Sequence, residues 1–164
     1  MSAISSLIRA AIMVRDLERA SMFYRALGLT EIYYEGALDS ASSSQALHVP
    51  AGVAVHCRIL KRPDTANFGM IGLFEISNPT LEPMPEAPSL APRAGETVIV
   101  FYVDDIDRAI AAAQAAGAGR TAAPTLFTMP HRSQREAVLR DPDGVLVNLV
   151  ERNPDEQFRA VSAP

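Results

Sequence analysis

The sequence predicts an α+β protein built from two tandem βαβββ modules, and three observations carry that prediction. Residues 8–29 can be laid on residues 97–118 at a constant offset with no gap. Each copy reads strand, aspartate, amphipathic helix, glycine, and then further strands. A proline-dense stretch separates the copies. A self-similar pattern of this kind fixes architecture before any single residue does.

In the overlay Val14 meets Val103, Asp16 meets Asp105, Arg19 meets Arg108 and Ala20 meets Ala109; further on, Ala26 meets Ala115 and Gly28 meets Gly117. Residues 8–14 and 98–103 are short apolar runs of strand length. Asp16 and Asp105 follow, where a carboxylate can accept from the free N–H groups of a first helical turn and suits its positive end. Leu17, Ala20, Tyr24 and Leu27 then recur at helical spacing, as do Ile106, Ala109, Ala113 and Ala116 with Ile110, so each helix has one apolar face. Gly28 and Gly117 supply the left-handed residue that stops it. Strands are expected next at 30–34, about 45–49, 53–60 and 69–76 in the first copy. In the second they are expected at 121–127, 136–140 and 145–151. Asp141-Pro142-Asp143-Gly144 is a turn between the last two.

The stretch from Asn78 to Glu96 holds Pro79, Pro83, Pro85, Pro88 and Pro92, which excludes a helix or a central strand. The expected organisation is one domain: module 1 over about 4–78, a linker over about 79–96, module 2 over about 97–153, and a tail at 154–164.

Bulk properties narrow the function. Hydrophobic residues make up 48% of the 164, without an apolar run long enough to span a bilayer. Arg9 and Arg15 interrupt the first apolar stretch, so no signal peptide and a cytoplasmic location are expected. A net charge of -4 with scattered basic residues argues against nucleic acid. The single cysteine, Cys57, excludes an internal disulfide and a multi-thiolate metal site, and reads as a small apolar strand residue.

The motifs Val14-Arg15-Asp16-Leu17-Glu18-Arg19-Ala20-Ser21, Phe23-Tyr24 and Leu27-Gly28-Leu29 resemble the vicinal-oxygen-chelate superfamily. So do Phe101-Tyr102-Val103-Asp104-Asp105-Ile106, Ala116-Gly117-Ala118, and Asp141-Pro142-Asp143-Gly144 leading to Leu149-Val150-Glu151. That group includes glyoxalases, bleomycin-resistance proteins and extradiol dioxygenases. The resemblance implies a curved mixed sheet around a cavity, and a homodimer. It also implies divalent-metal ligands on the first and last strand of each module, usually histidine or glutamine early and glutamate late, leaving open positions to polarise substrate oxygens.

Those positions fall here on Arg9, Val98 and Asn148, and in the first module on Gly72 or, one register along, Leu73. None of this set suits a divalent ion, so no metal and no cofactor is expected. Arg9, if turned inward, puts a permanent charge and a donor fork where the metal would sit, ready for a carboxylate, phosphate or enolate; otherwise it reaches solvent at the sheet end. Asn148 either hydrogen-bonds a ligand or is satisfied by backbone. His56 and Arg58 share one strand face, which either binds an anion, with His56 available as acid or base, or is simply the solvent side opposite Cys57 and Ile59. Glu75 is a base candidate if buried. Tyr33, Tyr34, Phe68, Phe101, Tyr102 and Phe127 can line a pocket or belong to the core. His48 and His131 read as exposed loop residues, His131 with Arg132 being able to close a cavity mouth.

Two function classes follow. The first is a metal-free protein that binds a small anionic or aromatic molecule, with Arg9, His56, Arg58, Val98, Tyr102 and Asn148 as contacts. The second is a lyase, isomerase or dioxygenase of the same superfamily, acting through His56 or Glu75 as acid or base, or through a metal site placed elsewhere. A third, an interaction module using the fold only to dimerise, needs neither. Fold alone does not choose among them.

Overall fold

The computed structural model describes residues 4–77, 81–82 and 89–158. By chain contacts it divides into two compact units, Met1–Glu86 and Ala87–Pro164. Pro79, Pro83, Pro85, Pro88 and the tail from 159 onward lie outside the described residues. The described part of the linker, 81–82 and 89–96, holds no helix or strand.

The first unit contains β1 (Arg9–Val14), α1 (Leu17–Ala26), β2 (Glu31–Ala37), α2 (Ser40–Leu47), β3 (Val55–Lys61) and β4 (Met70–Ile76). The second contains β5 (Val98–Val103), α3 (Ile106–Ala115), β6 (Thr125–Met129), β7 (Arg132–Arg140), β8 (Leu146–Glu151) and a terminal 3₁₀ turn, η1 (Pro154–Phe158). Each unit has one four-stranded mixed sheet, in the order β1-β4-β3-β2 and β5-β8-β7-β6. β1 runs parallel to β4 and β5 parallel to β8, while the other neighbours are antiparallel. The α+β class and the duplicated module are therefore as the sequence predicts.

The helix ends are duplicated down to the hydrogen bonds. Asp16 caps α1 by accepting from Arg19 N at 2.9 Å, and Asp105 caps α3 by accepting from Arg108 N at 2.9 Å. The first helical N–H is claimed by the last strand: Leu17 N donates to Glu75 Oε2 at 2.7 Å, and Ile106 N to Glu151 Oε1 at 3.1 Å. Each helix stops at a glycine with positive φ, +105° at Gly28 and +87° at Gly117. In both, the residue after the glycine donates back five positions, Leu29 N to Tyr24 O and Ala118 N to Ala113 O. This closure satisfies carbonyls that would otherwise be orphaned.

One predicted element is corrected. The strand expected at about 45–49 is the end of α2 and the loop beyond it. Asp39 caps this helix through Ser42 N at 2.8 Å, and Ser43 Oγ donates to Asp39 O at 2.8 Å. β7 also starts earlier than expected, at Arg132, and pairs with β6 from Met129↔Arg132 onward.

The core of unit 1 lies on both sides of its sheet. On one side Ile12, Val14, Leu60, Ile71 and Leu73 are buried with Ala20, Phe23 and Tyr24 of α1, whose two rings meet edge to face at 5.0 Å. On the other, Val55, Cys57, Ile59, Met70, Phe74 and Ile76 cluster with Val53 under Leu38, Leu47, Val49 and Leu81. The helix and loop after β2 thus cover most of the sheet face turned away from α1.

Candidate functional site

Strand alternation sorts the candidate residues onto faces. In sheet 1, Arg58 donates to Glu18 of α1 at 2.6 and 3.0 Å and to Glu35 of β2 at 2.5 Å, which puts it on the helix side. His56 shares that side with it. Glu75 is there too, holding the start of α1. Arg58 is buried and its charge is met by two carboxylates. Its guanidinium in turn keeps the Glu18 carboxyl below the usual carboxylate range. This is a fastening between helix and sheet. His56 is exposed and pairs across the strands with Glu75 and Ala37.

Arg9 lies on the opposite face. Its strand alternates cleanly, with Arg9, Ala11 and Met13 exposed while Ile12 and Val14 are buried. Its register partner is Met70, and that of Val98 in sheet 2 is Leu146. Gly72 therefore occupies in β4 the place that Asn148 occupies in β8, which settles the register in favour of Gly72 over Leu73. The glycine has a spatial reason: a Cβ there would stand 3.3 Å from Arg9 Cδ and 3.0 Å from Phe74 Cε2. The arginine stem lies across β4 through the gap left by that missing Cβ. Its charge is felt at Cys57, whose thiol is pushed up by burial and partly drawn down by Arg9. Arg9 makes no hydrogen bond or ion pair with any described residue.

In sheet 2 the helix side carries Ala137, Leu139, Val147 and Leu149, all buried, and Arg135, which bridges Asp107 of α3 at 2.9 Å and Glu151 at 3.4 Å. The other face carries Val98, Val100 and Tyr102 on β5, Asn148 on β8, Gln134 and Glu136 on β7, and Phe127 on β6. Val100 and Phe127 are about half exposed, at 54% and 50%. Tyr102 lies under the Arg152 guanidinium at 5.0 Å, and Arg152 pairs with Glu156 of η1. At the sheet end, buried Arg140 donates to Glu96 Oε1 at 2.6 Å and to Gly144 O at 2.7 Å, tying the segment before β5 to the hairpin turn. Arg140 holds the Glu96 carboxyl below its ordinary value.

Near the middle of this face is a group that sequence reading missed. Gln134 Nε2 donates to Glu136 Oε1 at 2.5 Å, and Asn148 Nδ2 donates to Glu136 Oε2 at 2.9 Å. The carbonyl oxygens of both amides, Gln134 Oε1 and Asn148 Oδ1, are buried and accept nothing. Gln134 and Glu136 are two apart on β7, so their shared face was readable once the strand is extended to Arg132.

Of the sequence candidates, the structure thus groups His56, Arg58 and Glu75 on the helix side of sheet 1. It puts Arg9 on that sheet's other face, and Val98, Tyr102 and Asn148 on the corresponding face of sheet 2. The aromatic candidates scatter: Tyr33 and Tyr34 sit on β2, with Tyr33 unpaired at a bulge, while Phe68 is exposed in the loop before β4. His48 ends α2 in a left-handed conformation and His131 sits in the β6–β7 turn, both exposed.

The metal positions implied by the resemblance read Arg9, Gly72, Val98 and Asn148. A fixed cation, two side chains without donors and one amide do not fit a divalent ion. Among the described residues no group of three or more His, Cys, Asp or Glu could hold one. No helix among them is long and apolar enough to cross a membrane.

The profile of the Glyoxalase/Bleomycin resistance protein/Dioxygenase superfamily matches residues 6–149. The structure is similar to that of a glyoxalase family protein from Bacillus cereus, with 20% identity over 92% of this chain and 97% of that one and a TM-score of 0.71. It is also similar to a glyoxalase/bleomycin resistance protein from Albidiferax ferrireducens (23% identity, 91% and 100% covered, TM-score 0.54). A third is the fosfomycin resistance protein FosX of Listeria monocytogenes, solved with Mn(II) and a dihydroxypropylphosphonic acid (13% identity, 95% and 97% covered, TM-score 0.53). At these identities the likeness concerns the fold. The search of curated proteins gave no match.

Proposed function

The chain belongs to the glyoxalase/bleomycin resistance protein/dioxygenase superfamily, and on that premise we propose that it binds a small organic anion without a divalent metal, using Arg9 as the charged anchor. The observation that carries this reading is Arg9 itself. It is a permanent cation on the sheet face away from α1, its stem is held across Gly72, and it has no partner among the described residues. A guanidinium offers a planar donor fork that matches a carboxylate or phosphate with two parallel hydrogen bonds. In that role it takes over the oxygen-gathering task that a metal ion performs in other members. FosX, which is similar in fold, was solved with a phosphonic acid together with Mn(II); in this reading Arg9 stands in for the ion.

Binding, rather than turnover, is the reading the residues support. Glu75 Oε2 is occupied by the Leu17 N–H, Arg58 is occupied by Glu18 and Glu35, and neither shares a face with Arg9. An acid–base enzyme would need a titratable group beside the anchor; Cys57, on the same face, is buried, and burial pushes its thiol up.

The test is a thermal-shift and calorimetric titration with benzoate, phenylphosphonate and the neutral isostere benzamide, each with and without EDTA. A ligand that prefers the native state raises the melting point by mass action. The anions are expected to bind and the amide to bind much more weakly. Arg9→Gln should lose about 1.5–3 kcal/mol, the usual worth of hydrogen bonds to a charged group. Equal binding of benzamide, unchanged affinity in Arg9→Gln, or loss of binding on chelation would each overturn the reading.

A further inference from the structure

We propose that Gln134, Glu136 and Asn148 form a recognition site for a protonated amine on the second sheet. The argument starts from an imbalance of donors and acceptors. Three side chains from β7 and β8 bring their polar ends together within 2.5–2.9 Å, and the two amides spend N–H groups on the one carboxylate. That leaves two buried carbonyl oxygens with no donor, and a carboxylate with no cationic partner among the described residues. An orphaned buried acceptor costs free energy that any suitable donor recovers. The cluster therefore lacks N–H groups and positive charge together, and an ammonium group supplies both.

The terminal torsions of Asn and Gln are broad and roughly two-fold. Because these torsions are soft, each amide can swing its carbonyl oxygen toward an ammonium seated against Glu136. All three acceptors then point at one donor group with three N–H bonds. The surroundings define the rest of the ligand. Thr125 and Phe127 of β6 stand opposite Glu136 and Gln134, and Val100 of β5 stands opposite Asn148. With Val100 and Phe127 about half exposed, the body of the amine is expected to be apolar or aromatic, the ring of Phe127 also favouring a cation near its face.

A hard metal ion would use the same oxygens, and geometry argues against it. One carboxylate with two amide oxygens is a sparse set for a cation that takes six or more oxygen ligands.

The experiment is an NMR titration of the whole chain at pH 7, following the side-chain amide signals of Gln134 and Asn148. The probes are benzylammonium, its neutral analogue benzyl alcohol, and magnesium or calcium chloride. Benzylammonium is expected to move both amide signals saturably, and benzyl alcohol to leave them in place. Glu136→Gln, which keeps the size but removes the charge and one of the two acceptor oxygens, should weaken the amine about tenfold or more, the scale of one lost charged contact. Gln134→Leu, on a partly exposed strand end, serves as the second variant and should weaken it several-fold. Benzylammonium and benzoate carry opposite charges, so their titrations report on this site and on the anion anchor independently. Equal response to benzyl alcohol, undiminished affinity in a folded Glu136→Gln, or displacement of the amine by magnesium or calcium would overturn the proposal.

Discussion

Replacing Gly72 by alanine tests whether the anchor is held by a deliberate gap in the sheet. The new Cβ would stand 3.0 Å from Phe74 Cε2 and 3.3 Å from Arg9 Cδ. The two neighbours yield differently. Phe74 is 5% exposed and wedged among Cys57, Ile59 and Met70, so its ring moves only by disturbing them. Arg9 is at the surface and can lift away. Overpacking of a filled site costs about 1–3 kcal/mol, and removing a glycine from a strand returns about 0.5–1 kcal/mol. The expected net loss is therefore about 0–2.5 kcal/mol, with Arg9 displaced from its resting line across β4. Stability would be read by urea unfolding followed by far-UV circular dichroism, as the chain has no tryptophan. Benzoate affinity would be read by calorimetry on the same variant and should fall several-fold, 1.4 kcal/mol being tenfold. A Gly72→Ala protein as stable as the parent and binding benzoate equally well would refute both the close approach and its link to Arg9.

Other outcomes follow from the same geometry. Glu75→Ala should cost about 1.5–3 kcal/mol through the lost charge-assisted bond to Leu17 N, and Glu75→Gln less, because an amide oxygen still accepts; equal losses in urea unfolding would contradict this. Arg58→Ala should cost only about 1–2 kcal/mol, because the carboxylates it leaves, Glu18 and Glu35, are 74% and 44% exposed and can rehydrate; it should leave benzoate binding intact, since it faces the helix. Glu18 and Glu96 have folded pKa values below their ordinary ones, through hydrogen bonds from Arg58 and Arg140. Their contribution is full above the ordinary glutamate value of about 4.3 and is lost as pH falls through the lower folded values. Glu96→Gln should accordingly flatten the acid limb of a stability–pH profile, and an unchanged limb would contradict the assignment.

Much of the frame was legible because its signals are local. Asp16 and Asp105, Gly28 and Gly117, and the apolar stripes between them dictate caps, stops and helices within a few residues of themselves. α2 was not, because Ser40–Leu47 has almost no apolar periodicity; its start depends on Asp39 and its end packs Leu47 onto a cluster drawn from β3 and β4. Read alone, Ala46-Leu47-His48-Val49 passes for a short strand. The candidate site was half legible. Period two shows that His56 and Arg58 share a face, but which face is decided by Glu18, 40 residues earlier in the chain. The Gln134–Glu136–Asn148 group stayed hidden because polar residues at the start of β7 give no strand signal.

The paired glutamates at the ends of β4 and β8 have a consequence for how such a duplicated chain can diverge. Odd and even positions of the same strand answer to different demands. Glu75 and Glu151 must keep fastening a helix, so both copies retain them. Their strands turn Gly72 and Asn148 the other way, where the copies have drifted to unlike chemistry without touching the fastening. A chain organised like this can change what it recognises at every second residue while leaving its framework alone.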